Sequence, residues 1–206
     1  MIKEEIYHIY NKSIANFKIF NNDSDYERFL LAFRFFQFDN RDIRFCRSLE
    51  LLEEDNNIFV KDKEKKLVRI VAYCIMPTHF HLILIPCKEK AVSIFTGNIC
   101  NSYTRFFNSK YGRKGPLWEG RAKKVLVENN EQLIHLTRYL HLNPVTSYIT
   151  EKPIDWQYSS YKEYIGVVRE NSFCEFRDLL NMDPIEYRFY VNEGIQYQRD
   201  LAEAKK

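Results

Sequence analysis

Two histidines one residue apart, His79 and His81, head an apolar run, Leu82-Ile83-Leu84-Ile85. In an extended chain alternate side chains face the same way, so both imidazoles share one face and Phe80 points to the other. Residues apolar on both faces mark a central, doubly covered strand. Imidazoles placed there are either satisfied by neighbouring backbone groups or act together as metal ligands. The second use needs a further ligand and a reactive group from elsewhere in the chain. The stretch Ile134-His135-Leu136-Thr137-Arg138-Tyr139-Leu140-His141-Leu142-Asn143-Pro144 offers both. On a helix Tyr139 and Asn143 project from neighbouring turns of one side, and His135 extends the same stripe. The amide oxygen of Asn143 suits a metal already held by two imidazoles, with positions left for water or a phosphate oxygen. Tyr139 would then sit beside that phosphate. A free phenol has a pKa of about 10, so a tyrosine nucleophile needs activation, from the metal first and from His135 as a base second.

A third stretch concentrates positive charge. Between Arg105 and Lys124 stand Arg105, Lys110, Arg113, Lys114, Arg121, Lys123 and Lys124 against one acid, Glu119. The chain's net charge is only +3, so everything outside this segment is net acidic. Such asymmetry makes one patch attractive to a polyanion. The cations can neutralise phosphates, and Tyr111 and Trp118 among them can offer rings to unpaired bases. A solvated loop with a buried Trp118 is the other reading of the same residues.

The elements that must carry these groups follow in order. Ile6 to Tyr10 predicts a first strand and Asn11 to Asn22 a loop. A helix follows, capped by Asp23, Ser24 or Asp25, with Phe29, Leu30, Phe33 and Phe36 at helical spacing. Asp39 to Lys66 is mixed and ends in a charged turn, Lys61 to Lys66. Leu67 to Ile75 reads as the second strand, and Pro77-Thr78 turns it into the strand of the histidines. A helix over 91–108, a Gly/Pro turn at Tyr111 to Pro116 and a strand within Leu117 to Val127 come next. Asn129 or Asn130 caps a third helix from Glu131 to about Leu142, which Pro144 is expected to stop. The expected fold class is thus α+β: a ferredoxin-like βαββαβ antiparallel sheet with helices on one face, plus a third, catalytic helix. Residues 1–150 are expected to form the catalytic domain, and 151–206 a C-terminal helical appendage packed on or beside it, with a helix near Phe173 to Leu180.

Bulk composition bounds the rest. With 206 residues, 45% of them hydrophobic and only 6 Gly, one ordinary domain can bury a proper core. No opening stretch has the order of a leader and no run approaches a membrane span, so a cytoplasmic protein without a membrane partner is expected. The cysteines (Cys46, Cys74, Cys87, Cys100, Cys174) are odd in number and form no CxxC pair, which points to buried reduced thiols rather than a disulfide framework or thiolate zinc site.

Three quoted segments taken together resemble a known family. Met-Pro-x-His-x-His with an apolar tail (from Met76), Gly-Arg-x-Gly-x-Leu-Trp-Glu-Gly-Arg (from Gly112) and Arg-Tyr-x-x-x-Asn-Pro-Val (from Arg138) occur in the order found in single-tyrosine HUH transposases, particularly the REP-associated tyrosine transposases. The resemblance runs from about Tyr7 to Val145, and Trp156 to Tyr161 is similar to the family's downstream segment. One departure is Met76, where some relatives carry an acid shortly before the histidine pair. The resemblance implies that His79 and His81 bind the metal, that Tyr139 is the nucleophile and that Asn143 completes the site. It implies Mg²⁺ or Mn²⁺, whereas imidazole ligands by themselves favour transition ions. It implies phosphodiester transesterification on single-stranded DNA with hairpin ends, leaving the protein joined to a 5′ end, and a monomer or homodimer. Two alternatives stay open: a catalytically silent nucleic-acid-binding module on the same sheet, and an HUH replication initiator or relaxase.

Overall fold

Runs rich in β-branched and aromatic residues form four strands: β1 (Ile6–Lys12), β2 (Val68–Met76), β3 (His79–Pro86) and β4 (Lys123–Val127). The computed structural model describes residues 5–39, 44–52, 65–168 and 172–204. Within them the helices are α1 (Asp23–Phe36), α2 (Phe45–Leu52), α3 (Ala91–Lys110), α4 (Asn130–Thr146), the single turn α5 (Tyr161–Tyr164) and α6 (Pro184–Glu203). The strands pair in the order β2-β3-β1-β4, every neighbour antiparallel. The histidine strand and β1 are therefore central. Of the charged turn expected at Lys61 to Lys66, residues 61–64 lie outside the described residues, and Lys66 forms an ion pair with Glu175.

Strand alternation sorts the side chains into two cores. Ile9, Phe80, Leu82 and Leu84 face α1 and α3, in a core with Phe20, Phe29, Phe33, Phe95 and Tyr103. Cys74, Met76, Ile83 and Ile85 face the other way, against Leu133, Leu140 and Leu142 of α4 and Val191 of α6. Met76, the departure from the family pattern, is thus core packing beside His79, its partner in the β2–β3 register. The hairpin tip that presents His79 is held from outside: Ile19 and Phe20 donate to the Pro77 carbonyl, and Ser13 to that of Thr78.

Several local expectations need correction. No side chain caps α1; Asn22 takes the N-cap position without a capping bond. Asp25 is instead fully buried, accepting from Asn21 N (2.9 Å), Lys110 Nζ (2.7 Å) and Tyr111 Oη (2.7 Å). Asp25→Ala is expected to lower unfolding free energy by about 2–3 kcal/mol, because charge-assisted bonds in the interior are lost. Lys110 can turn to water and so limits the loss. Denaturant melts of the two proteins measure it.

Pro144 does not stop the third helix, which runs on to Thr146. It sits in the last turn, where a proline removes one i→i−4 bond, and the C-terminal carbonyls are satisfied by Ser147 N on Asn143 O and Ile149 N on Pro144 O. Asn129 caps the start of α4 as expected, accepting from Gln132 N at 2.8 Å. Residues 173–180 are not helical. Their apolar side chains pin an irregular segment along β2: Phe173 stacks on Tyr73 (5.2 Å), Phe176 stacks on Tyr164 (3.7 Å), and Glu175 N donates to Ile70 O. The C-terminal helix is α6, opened by a capping box between Asp183 and Glu186. It approaches α4 closely at Gly194, where a Cβ would lie 2.8 Å from Arg138 Cδ. Among the cysteines only Cys74 is fully buried; Cys46 and Cys87 are exposed, contrary to expectation.

Candidate active site

The face of the sheet under α4 gathers His79 and His81 from β3, His8, Tyr10 and Lys12 from β1, and Tyr139 and Asn143 from α4. In the β1–β3 register Tyr10 lies opposite His81 and Lys12 opposite His79. The His79 and His81 rings are 5.1 Å apart at 89°, and the Tyr139 ring stands 5.6 Å from His81 at 85°. The four residues singled out from sequence thus converge. His81 and Asn143 are nearly buried, at 7% and 8% exposure, whereas Tyr139 is 38% exposed and reachable from solvent.

Hydrogen bonds leave a defined set of atoms for chemistry. His79 Nδ1 lies 3.0 Å from Thr78 Oγ1, and His81 Nδ1 lies 3.0 Å from His8 Nε2. In each ring Nε2 is the atom left to a cation, the arrangement expected of ligating histidines. Burial pushes the His79 pKa down to about 4 and that of His81 well below its ordinary value, so both are neutral and ligation-competent near pH 7. The Asn143 amide raises the His79 pKa and lowers that of Tyr139, which places it close to both side chains. Asn143 Nδ2 is buried without a hydrogen-bond partner, a donor held in reserve at the centre of the site. Burial outweighs that help, and the Tyr139 pKa is raised overall. The phenol therefore needs a positive neighbour to react. Among the described residues no three His, Cys, Asp or Glu side chains surround one point. Two imidazoles and one neutral amide are the donor set, which fits a divalent cation that keeps sites open for oxygen ligands.

Two histidines play other parts. His135 Nδ1 lies 3.1 Å from both Arg138 Nη2 and Tyr190 Oη, so it joins α4 to α6. His141, on the buried side of α4, bridges Tyr187 Oη (2.7 Å) and Ser160 Oγ (2.8 Å); Ser160 in turn donates to Tyr73 O on β2. That bridge clamps the tyrosine helix to the sheet and to α6. Burial drives the His141 pKa down to about 3, and burial takes His8 to about 4. A neutral histidine stabilises the fold fully above its unfolded pKa of about 6.5, and the contribution is lost as pH falls from there toward the folded value. Stability should drop from pH 6.5 to 5 by about 2 kcal/mol through His141 alone. His141→Gln should flatten this acid limb by about one proton. Thermal melts from pH 7 to 5 test it, and an unchanged melting temperature contradicts it.

The basic segment divides. Trp118 is 8% exposed, packed edge-on against Phe80 at 5.4 Å, with Nε1 donating to the Cys100 carbonyl. It is a core residue and cannot stack on a base. Lys110 and Tyr111 are bound to Asp25, and Arg113 holds its turn through Asn108 Oδ1 and Pro116 O. Arg105 lines a groove of about 1100 Å³ beside α1, α2 and α3, on the far face of the sheet. Lys114, Arg121, Lys123 and Lys124 are exposed. Alternation along β4 sends Lys124 to the far face, over Tyr7 at 3.5 Å, and Lys123 to the histidine face, near Tyr10 at 5.7 Å. A cavity of about 160 Å³ opens there, lined by Tyr10, Asn11, Lys12, Glu119, Gly120, Arg121 and Lys123. Lys12 is paired with Glu119 at 3.2 Å, a half-exposed contact that holds it only weakly. Lys12, Tyr10 and His8 escaped the sequence reading; only the strand register could have found them.

No family model matches the sequence. A candidate REP-associated tyrosine transposase of Haemophilus influenzae is 28% identical over 101 residues, covering 44% of this chain. The chain spans 57% of the length of that relative. Among solved structures, a REP-associated tyrosine transposase bound to a REP hairpin shares the fold, with a TM-score of 0.52 over 88% of this chain and 94% of the other, at 14% identity. A candidate transposase from Deinococcus radiodurans gives a TM-score of 0.39 at 12% identity, over 68% of this chain and 90% of its own. None of the described helices is long and apolar enough to cross a membrane.

Proposed function

We propose that this chain, similar in sequence and fold to the REP-associated tyrosine transposases, is a single-stranded DNA endonuclease and strand transferase of DNA transposition that works through a 5′-phosphotyrosine intermediate. The observation that carries this reading is the meeting of Tyr139 and Asn143 with His79 and His81 on one sheet face, next to a cavity that Lys12, Arg121 and Lys123 line together with Glu119. Tyr139 Oη attacks the scissile phosphorus; a bond from phosphorus to the phenolic oxygen forms, the bond to the 3′-oxygen breaks, and the phenol's proton ends on the released 3′-hydroxyl. The phosphodiester energy is kept in the tyrosyl ester, so a 3′-hydroxyl can reverse the step and join a new strand.

A divalent cation, Mg²⁺ or Mn²⁺, held by His79, His81 and Asn143, supplies Lewis acidity at the phosphate when bound. Asn143 Nδ2 donates toward the Tyr139 oxygen and steadies the developing phenolate. Lys12, Arg121 and Lys123 hold the strand's phosphates in the cavity beside the histidines, and exposed Lys114 extends the track. Residues 1–150 supply this chemistry, while 151–206 brace α4 through Ser160 and α6. The solved relative was bound to a REP hairpin, and the substrate proposed here is of that class: single-stranded DNA bearing hairpins, met in the cytoplasm. The test is incubation with labelled single strands from both flanks of the protein's own gene, with Mn²⁺, followed by a denaturing gel. A metal-dependent protein–DNA adduct is expected, and DNA binding without any adduct supports the silent module instead.

A further inference from the structure

His8 stands at the middle of the central strand β1, its ring 5.1 Å from that of Tyr10 and 5.2 Å from that of His81. Its register partners, Ile83 and Val125, are apolar, and a side-chain hydrogen bond runs diagonally across the β1–β3 pair to His81. Nothing in the chemistry above uses it. A histidine with apolar register partners, hydrogen-bonded to a candidate ligand, calls for a role of its own.

Between two neutral imidazoles 3.0 Å apart one nitrogen carries the proton and the other accepts it. If His81 Nδ1 is the donor, its Nε2 holds a free lone pair; if His8 Nε2 is the donor, His81 Nε2 is protonated and cannot ligate. We infer that His8 is a positioning residue that accepts the Nδ1 proton of His81 through Nε2, and so fixes the tautomer and ring orientation in which His81 can bind the divalent cation. The inference rests on the metal reading of His79 and His81. It assigns to a side chain on the neighbouring strand the outer-shell part that a carboxylate or backbone carbonyl commonly plays. The Nδ1 of His79 meets a different kind of partner, Thr78 Oγ1 at 3.0 Å. The ring contact with Tyr10 and the bond to His81 hold His8 in place.

The experiment is Mn²⁺ titration by calorimetry on the full chain as native protein, His8→Leu, His8→Gln and His81→Ala. Glutamine places an amide oxygen near the reach of Nε2 and can accept the same proton, whereas leucine fills the space and accepts nothing. His8→Leu should weaken Mn²⁺ binding by about 10–100-fold at a native-like melting temperature, and His8→Gln should recover most of it. Native-like affinity in His8→Leu, with binding lost in His81→Ala, overturns the role of His8 and leaves the metal reading standing. Equal losses in His8→Leu and His8→Gln also overturn it, in favour of plain packing. No Mn²⁺ uptake by the native chain overturns the metal reading and this inference together. Nitrogen-15 spectra of the native protein's histidine rings, free of metal, need no variant. They should report His81 protonated at Nδ1, and protonation at Nε2 overturns the inference.

Discussion

Tyr139→Phe should abolish the covalent protein–DNA adduct, a fall of on the order of a thousandfold or more, while single-strand affinity changes little. The substitution removes one oxygen. The ring that stands 5.6 Å from His81 is retained, as is the packing of α4 through Leu140 and Leu142. Tyr139 is 38% exposed and its hydroxyl is not part of the core, so stability should hold within about 0.5 kcal/mol. An effect confined to chemistry is therefore the expected signature. Denaturing gels read the adduct, and filter binding on the same samples reads affinity. An adduct that survives in the variant places the nucleophile on another tyrosine; Tyr10, on the same sheet face, is the next to replace.

His81→Ala should lower Mn²⁺ affinity by more than about a hundredfold, since removing even an outer-shell partner commonly weakens binding 10–100-fold. Adduct formation should fall with it. His79→Ala should behave alike, and Asn143→Ala should lose less metal affinity but also the amide that lowers the Tyr139 pKa. Imidazole donors order the ions, with Mn²⁺ held more tightly than Mg²⁺. Calorimetry at pH 7 measures the affinities, because the buried rings are neutral there. Undiminished Mn²⁺ binding in His81→Ala would put the cation elsewhere.

Period-two alternation and an apolar tail were enough to read His79 and His81 as partners on a central strand, and four-residue spacing was enough to put Tyr139 and Asn143 on one helical side. Both are local patterns that survive folding. His8, Tyr10 and Lys12 were not legible in this way, because their place depends on the antiparallel register of β1 against β3, which no spacing within either strand encodes. Trp118 misled for the opposite reason. Its neighbours in sequence are cationic, but a bridge between Ser13 and Trp118 turns the ring inward to Phe80 and the Cys100 carbonyl. Lys110 and Tyr111 look like phosphate and base contacts until Asp25, 85 residues from Lys110 in the chain, is found buried between them.

Asp183-Pro184-Ile185-Glu186 carries a plain helix-start signal, with a capping acid, a proline in the first turn and a glutamate at the third position. The helix expected near Phe173 to Leu180 does not form. Phe173 and Phe176 serve instead to fasten an irregular strap to β2 and α5, through stacking on Tyr73 and Tyr164. Pro144 shows the limit of a breaker rule near a helix end, where few backbone bonds remain to be lost.

The most direct measurement is mass spectrometry of the protein–DNA adduct formed with Mn²⁺ and a single strand from the gene's flank, after nuclease trimming and tryptic digestion. Fragment ions should place a nucleotide 5′-phosphate on Tyr139, which begins the peptide after Arg138. A nucleotide on any other tyrosine, or an adduct linked through a 3′-phosphate, would contradict the account.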